Sequence, residues 1–179
     1  MNCNGKRPLS QALFLLAALV CHYQSASARD MPSEQSVRAA MVFNFLKFAD
    51  FPPEAITSPA VTRLCHAVRD TRQAEALLAL AGRKVGGRKL IVTDFTAQTG
   101  DCQVLYVDSP RRWNTASEHN TVRRALTISD YPGFVREGGM IEIDVQNDGV
   151  QFDVNLAEAR RAGFNFAPQM LRLARQIHE

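Results

Sequence analysis

Short stretches of alternating apolar and polar residues are separated by stretches in which apolar residues recur at helical spacing. The alternation predicts strands at 63–68, 89–92, 102–107 and 125–129 and a hairpin over 140–154. The helical spacing predicts helices at 37–48, 74–80, 115–124, 156–162 and 168–177. Asp70 is a candidate N-cap for the second of these helices. Strands that alternate with helices favour parallel βαβ units. We therefore predict an α/β fold: a single three-layer domain with an approximately six-stranded mixed sheet, flanking helices and a β-hairpin in the C-terminal half.

The first predicted helix, residues 37–48, is apolar around most of its circumference. The residues that follow helical spacing are Val37, Ala40, Met41, Phe45 and Phe48. Three further apolar residues, Val42, Phe43 and Leu46, widen the stripe. A helix of this kind needs burial on more than one side. We expect it to pack against the sheet, with a second subunit as a candidate for the additional cover.

Turn and capping residues mark the ends of the predicted elements in the C-terminal third. Asp148-Gly149 between two alternating runs is typical of a tight hairpin turn. Asn155 followed by Glu158 resembles a capping box, and Pro168 is suited to the first turn of a last helix. Residues 84–88, which include two adjacent glycines, are predicted to form a loop.

The order of motifs in this region resembles the YfiR family of periplasmic regulators. A strand leads into SDYPGF at 129–134, then GGMI at 138–141, NLAEARRAG at 155–163 and LRLAR at 171–175. The first helix and the ADFP that follows it also fit, with Phe51 where Trp is usual. Cys65 and Cys102 stand where the family has two strand cysteines. The resemblance covers residues 35–177.

The resemblance implies a regulatory role. Family members are periplasmic repressors of a membrane-bound diguanylate cyclase: they bind its periplasmic sensor domain and lower cyclic-di-GMP synthesis. An outer-membrane lipoprotein can sequester them, and the family is expected to form homodimers. Better-known members carry a second disulfide near the SD-x-P-G-F loop. This chain cannot form it there, because residues 35–177 contain no cysteines besides Cys65 and Cys102.

Residues 1–28 are predicted to be a cleaved secretory signal peptide, which leaves 29–179 as the mature domain. Lys6 and Arg7 form a basic segment, residues 12–20 an apolar one, and Ala-Ser-Ala at 26–28 a cleavage site. Cys21 raises the alternative of a lipoprotein, but Leu19-Val20 before it is a poor match to a lipobox. We therefore expect an exported protein of the Gram-negative periplasm with no membrane-spanning segment.

Cleavage changes the charge balance and the cysteine count. The chain has 21 Lys and Arg against 18 Asp and Glu, and the mature domain is close to neutral. Nothing in its charge therefore favours nucleic acid as a partner. Cys65 and Cys102 are the cysteines that remain, an even number in an oxidising compartment. We predict a disulfide between them; two buried free thiols are the alternative.

Catalytic and metal-binding patterns are missing from the sequence. His66 adjoins Cys65, but adjacent strand residues face opposite sides of a sheet. Gly86-Gly87 lacks the ending of a phosphate loop and precedes a strand. Asp130, Asp144, Asp148 and Asp153 could suggest calcium, but alternation with apolar residues favours solvent or polar cross-strand neighbours. We predict a protein that is not an enzyme and uses neither cofactor nor metal.

Function is then expected to depend on a binding surface. Phe134 and Arg136 lie in a Pro/Gly loop, and Gln169, Leu171 and Arg172 lie off the apolar stripe of the last predicted helix. We predict these residues to bind the partner; alternatively, Phe134 and Leu171 belong to the core. A second class of function is a periplasmic small-molecule sensor, whose α/β crevice binds a ligand and signals to a histidine kinase or transporter.

Overall fold

The computed structural model describes residues 32–96, 98–99, 101–146 and 149–179. Within it, Pro32–Glu179 forms one compact unit. The predicted signal peptide lies outside the described residues. So do Asn147 and Asp148 of the predicted hairpin turn, although the two strands that flank them pair as expected.

Helices and strands alternate through most of the chain. In order they are α1 (Glu34–Phe48), β1 (Ala49–Asp50), β2 (Val61–Ala67), α2 (Thr71–Leu78), β3 (Lys84–Val85), β4 (Arg88–Asp94), β5 (Val104–Val107), α3 (Pro110–Ser117), β6 (Leu126–Ser129), β7 (Ile141–Gln146), β8 (Gly149–Asn155), α4 (Leu156–Arg161), β9 (Asn165–Phe166), α5 (Pro168–Leu171) and β10 (Gln176–His178). Short 3₁₀ turns occur at Pro53–Ala55, Asn120–Val122 and Phe134–Glu137.

The described strands form a mixed eight-stranded sheet in the order β10-β8-β7-β6-β5-β2-β4-β3, and β1 pairs separately with β9. The five central strands, β4, β2, β5, β6 and β7, are parallel. The α/β class is therefore confirmed, with more strands than the six expected. The additional strands β1, β3, β9 and β10 have only two or three residues each, which is too short to show a period of two.

The order of the parallel strands places a topological switch point between β2 and β5. The chain passes from β2 through α2 to β4 on one side, whereas β5 lies on the other side of β2 and leads through α3 to β6. In open α/β sheets, ligands bind in the crevice outside the carboxyl ends of the strands at such a point. Here that crevice is bordered by the segments that follow β2 and β5.

Two hydrophobic clusters cover the two faces of the sheet, which gives the three layers. Leu64 of β2 belongs to a large cluster with α1 and α2, and its neighbour Cys65 belongs to a smaller one with α3. Adjacent strand residues point to opposite faces, so α2 and α3 lie on opposite sides of the sheet. α1 packs with α2 on the first face and extends over β7 and β8, where Phe45 contacts Phe152 (ring centroids 4.9 Å apart).

The buried side of α1 differs from the predicted stripe. Its buried residues are Ala39, Val42, Phe43, Phe45 and Leu46, whereas Ala40 is exposed and Phe48 is 42% exposed. The helix begins earlier than predicted, because Ser33 caps it by accepting a hydrogen bond from Ser36 N (3.2 Å). Because apolar residues occur around most of this helix, the sequence does not indicate which of its sides is buried.

The start of α2 matches its sequence signal. Asp70 accepts hydrogen bonds from Arg72 N (2.9 Å) and from Gln35 Nε2 of α1 (3.1 Å). The Gln35 bond is the main cause that lowers the pKa of Asp70, because it stabilises the ionised carboxylate. The predicted cap therefore also joins α1 to α2.

Three further predicted elements differ from the structure. The helix predicted at 115–124 is α3, which runs from Pro110 to Ser117. It starts at Pro110 because proline suits the first helical position. The loop at 84–88 is a β3–β4 hairpin, in which Gly86 (φ +54°) and Gly87 (φ +82°) supply the positive φ of the turn. The helix at 168–177 is the single turn α5, after which β10 pairs with β8.

The predicted disulfide is present on the α3 face of the sheet. Cys65 of β2 is bonded to Cys102, just before β5, with Cα atoms 5.8 Å apart. Both residues are buried, at 0% and 3% exposure. The bond ties the first and third parallel strands together beside the switch point.

Within the described part of the chain, no helix is long and apolar enough to cross a bilayer.

Candidate functional site

The SDYPGF segment and the residues up to Gly139, here called the 129–139 loop, are held at the carboxyl end of β6. Ser129 Oγ donates to Val107 O (2.7 Å) and accepts from Tyr131 N (3.1 Å). Gly133 (φ +93°) and Gly138 (φ +89°) flank the 3₁₀ turn in the left-handed conformation that glycine favours. The glycines and the serine together make the loop a defined structure.

A buried carboxylate fastens this loop to the hairpin. Glu142 of β7 is 7% exposed, and its Oε2 accepts from Gly133 N (3.1 Å) and Val135 N (3.3 Å). Asn155 Nδ2 donates to Val135 O (2.8 Å), while its Oδ1 caps α4 by accepting from Glu158 N (2.9 Å). The N-cap half of the capping box predicted at Asn155 is thus confirmed. The reciprocal half is not formed, because Asn155 N donates to Met140 O (2.8 Å) and the Glu158 carboxylate pairs with Arg161. Asn155 has a second role in holding the loop.

Phe134 is a core residue, which corrects its predicted role as an exposed contact. Its side chain is 0% exposed and packs edge-to-face on Trp113 (5.0 Å) and Tyr131 (5.2 Å). A Cβ added at Gly139 would overlap the Phe134 ring, so the second glycine of the GGM motif makes room for it. Trp113 Nε1 donates to Glu137 O (3.0 Å), which anchors the turn from the α3 side. The sequence indicated an exposed aromatic because the Trp113 partner lies in a distant helix.

An open groove of about 340 Å³ lies between the 129–139 loop and the C-terminal strands. We call it the loop groove. Its lining residues are Asp130, Pro132, Gly133, Val135, Arg136, Glu142, Ile143, Asp144, Gln146, Asp153, Arg175, Gln176 and His178. Most of the lining is polar or charged, so the loop groove suits a polar ligand or a protein surface more than an apolar small molecule.

Arg175 neutralises the acidic residues of the hairpin. It donates to both Asp153 oxygens (2.9 and 2.7 Å), to Asp144 Oδ2 (2.7 Å) and to Gln151 Oε1 (3.2 Å). A hydrogen bond from Gln146, and then the one from Arg175, lower the pKa of Asp144. These carboxylates therefore face polar neighbours as predicted, and in the described ranges no group of three or more His, Cys, Asp or Glu side chains could hold a metal ion.

Asp130 connects the loop to the interior instead of joining the other acids. Its Oδ2 lies 3.0 Å from Arg38 Nε of α1, and Arg38 also pairs with Glu34. Burial raises the pKa of Asp130, with Arg38 opposing the shift. Burial, and then the Asp130 charge, raise the pKa of Tyr106 at the end of β5. Sequence analysis missed Arg38 and Tyr106, because nothing local to them indicates a shared carboxylate.

The other predicted partner-binding residues fall on adjoining surfaces. Arg136 is exposed and lines the loop groove. Gln169 and Arg172 are exposed on and after α5, outside the groove lining, while Leu171 is half-buried against the main core. Sequence analysis placed Leu173 on the apolar stripe of the last predicted helix. It is instead 76% exposed, which makes it the most exposed large apolar side chain of the described chain.

No arrangement of a nucleophile with a base is seen at His66. The side chain is 2% exposed, and neither ring nitrogen has a hydrogen-bond partner among the described residues. Burial lowers its pKa, although Asp94, with Oδ1 3.4 Å from Nδ1, opposes that shift. Cys65 points to the other face and is bonded to Cys102, so the two neighbours do not form a thiol–imidazole pair.

The described chain is thus a three-layer α/β domain with a structured loop and an open groove at the carboxyl ends of its strands. A YfiR/HmsC-like family model matches residues 35–175. The chain belongs to the YfiR/HmsC-like family.

Among solved structures, the fold is similar to that of a conserved domain protein from Vibrio cholerae O1 biovar El Tor. The two share 11% sequence identity with a TM-score of 0.50, over 81% of this chain and 60% of the Vibrio chain. This chain therefore spans less than two thirds of that protein, and the likeness concerns the fold alone. No curated protein matches the sequence.

Proposed function

We propose that this protein is a periplasmic regulator that binds the periplasmic sensor domain of an inner-membrane diguanylate cyclase and represses cyclic-di-GMP synthesis. The observation that carries the proposal is the YfiR/HmsC-like match over nearly all of the compact unit. Family membership supports a periplasmic regulatory protein of a cyclase in general. The particular partner, the repression and a homodimeric state are our inference.

The internal disulfide supports an oxidising compartment, where such bonds persist. A regulatory role also agrees with the site, since the 129–139 loop is fastened by structural hydrogen bonds and borders a groove with a mostly polar lining. We therefore treat the protein as non-catalytic.

Burial of Phe134 moves the proposed contact surface to the residues around it. Arg136 on the rim of the loop groove and Arg172 beside the exposed Leu173 are the charged and apolar side chains that a partner can reach. Arginine is among the residues that most often anchor protein interfaces. We propose that the cyclase domain docks against this rim and the adjoining C-terminal segment.

The experiment is co-purification of the tagged mature protein with solubilised inner-membrane proteins, followed by titration with the periplasmic domain of the captured cyclase. Arg136→Glu/Arg172→Glu should weaken binding by about 2 kcal/mol or more and raise cellular cyclic-di-GMP at normal protein levels.

Lys84→Glu/Lys89→Glu provides the matched control, because it reverses two charges at the opposite edge of the sheet. It should bind and repress as the parent does. Capture of a transporter or histidine kinase in place of a cyclase would favour the small-molecule sensor, and unchanged cyclic-di-GMP after deletion of the gene would refute repression.

A further inference from the structure

The switch-point crevice on the α3 face is a second concave site, separate from the loop groove. It is a cavity of about 550 Å³, within the roughly 300–1,000 Å³ typical of small-molecule sites. Its lining residues are Ala67, Arg69, Phe95, Ser109, Arg111, Arg112, Thr115 and Ala116. They come from the segments that follow β2, β4 and β5 and from α3, which is where the fold favours ligand binding.

Positive charge dominates this crevice. Three guanidinium groups line it, and the lining includes no carboxylate. Asp108 at its border lies 3.4 Å from Arg112 Nε. The side chains of Arg69 and Arg111 have no ion-pair or hydrogen-bond partner among the described residues, so two cations stay uncompensated.

Hydrogen bonds and the disulfide hold together the segments that border the crevice. Asp108 accepts a hydrogen bond from Arg69 N and another from Ser109 Oγ (3.1 Å), which joins the segment after β2 to the segment after β5. The disulfide between Cys65 and Cys102 ties the same two strands. The backbone that carries Arg69 and Arg111 is therefore held in place before any ligand arrives.

Hydroxyl and aromatic groups complete the lining. Ser109 and Thr115 supply hydroxyl groups, and the half-buried Phe95 ring forms an apolar side of the crevice. Phe95 packs edge-on against His119 (5.5 Å), outside the lining. Guanidinium forks match the geometry of phosphate oxygens, and an aromatic wall suits a flat or apolar group attached to them.

We propose that this crevice binds a small phosphate monoester: Arg69 and Arg111 hold the phosphate oxygens, and Phe95 packs on the esterified group. This goes beyond the proposed function, because it gives the regulator a small-molecule input at a site distinct from the loop groove. Its test does not depend on the cyclase partner.

The test is calorimetric or NMR titration of the full mature protein with phenyl phosphate and, separately, with inorganic phosphate. Both should saturate, with phenyl phosphate the tighter. Arg69→Gln/Arg111→Gln should weaken both by about tenfold or more, since hydrogen bonds to charged groups contribute on that scale. Phe95→Ala should weaken phenyl phosphate and leave inorganic phosphate unchanged.

Lys84→Gln/Lys89→Gln removes two positive charges outside the crevice and is the matched control. Equal weakening in this control would show a general charge effect and overturn the proposal. Absence of saturation by either probe, or binding that ignores the arginine substitutions, would overturn it as well. Because Arg69 and Arg111 are both exposed, the variants should keep the parent's melting temperature, which circular dichroism verifies.

Discussion

Individual side chains of the 129–139 loop contribute more to its packing than to an exposed surface. Phe134, the most prominent side chain in the local sequence, is enclosed by Trp113 and Tyr131. Glu142 satisfies two loop amide groups that would otherwise be buried without partners. The rim residue Arg136 is left as the exposed charge at this end of the loop groove.

Phe134→Ala should destabilise the protein by about 3–5 kcal/mol, because it removes a fully buried ring and leaves a cavity. Urea denaturation followed by circular dichroism measures the change. Leu173→Ala is the control: the side chain is 76% exposed, so its cost should stay within about 0.5 kcal/mol. A Phe134→Ala protein as stable as the parent would place the ring outside the core.

At the scale of elements, the structure depends on how helices and strands are joined across the sheet. α1 covers β7 and β8 through Phe45, and the disulfide joins β2 to the segment before β5. The chain after α5 forms no further helix because Arg175 N bonds Phe152 O (2.8 Å), and the Arg175 side chain pairs with Asp153. These contacts draw residues 176–178 to the edge of the sheet.

Phe45→Asp should unfold the protein, because Phe45 is 2% exposed and an ionised carboxylate there has no partner. Loss of the far-ultraviolet circular dichroism signal and of cooperative melting would show this. Asn44→Asp adds the same charge one residue earlier, at an exposed position, and should fold normally. A folded Phe45→Asp protein would mean that this face of α1 is not buried.

Replacing both cysteines, Cys65→Ser with Cys102→Ser, should lower the free energy of unfolding. The loop they close has a sequence separation of 37, for which restriction of the unfolded chain predicts roughly 3–4 kcal/mol. Reductant should destabilise the parent and leave the double variant unchanged. Labelling of the denatured, unreduced parent should find neither thiol reactive, and two reactive thiols per mature chain would disprove the bond.

For the molecule as a whole, stability should depend on pH because burial shifts the pKa values of two buried groups in opposite directions. Burial lowers the pKa of His66 and raises that of Asp130. A histidine with a lowered folded-state pKa stabilises fully above its unfolded pKa, and that stability is lost as pH falls. An aspartate with a raised folded-state pKa acts in the other direction, and its contribution is lost as pH rises through that value.

The parent should therefore lose stability as pH falls below about 6.5, the usual histidine pKa, because the unfolded chain takes up a proton that buried His66 does not. His66→Gln should show a smaller loss over the same range, measured by denaturant titration at successive pH values. An unchanged slope in His66→Gln would assign the effect to other groups.

The sequence by itself determined the features that neighbouring residues control. The α/β class, the central strands, the caps at Asp70 and Asn155 and the hairpin over 140–154 all follow from periodicity or from bonds within a few residues. The family assignment likewise rested on motif order along the chain and is confirmed by the match over 35–175.

Only the tertiary structure decided the features that depend on residues far apart in the chain. Phe134 is buried because Trp113 reaches it from α3, and Asp130 meets Arg38 because the first turns of α1 lie beside the residues that follow β2 and β6. The strand at 176–178 exists because the edge of β8 offers backbone partners, which outweigh the helical spacing of the sequence. Periodicity reports which residues share a face, but the choice of covering partner is made by packing across the whole domain.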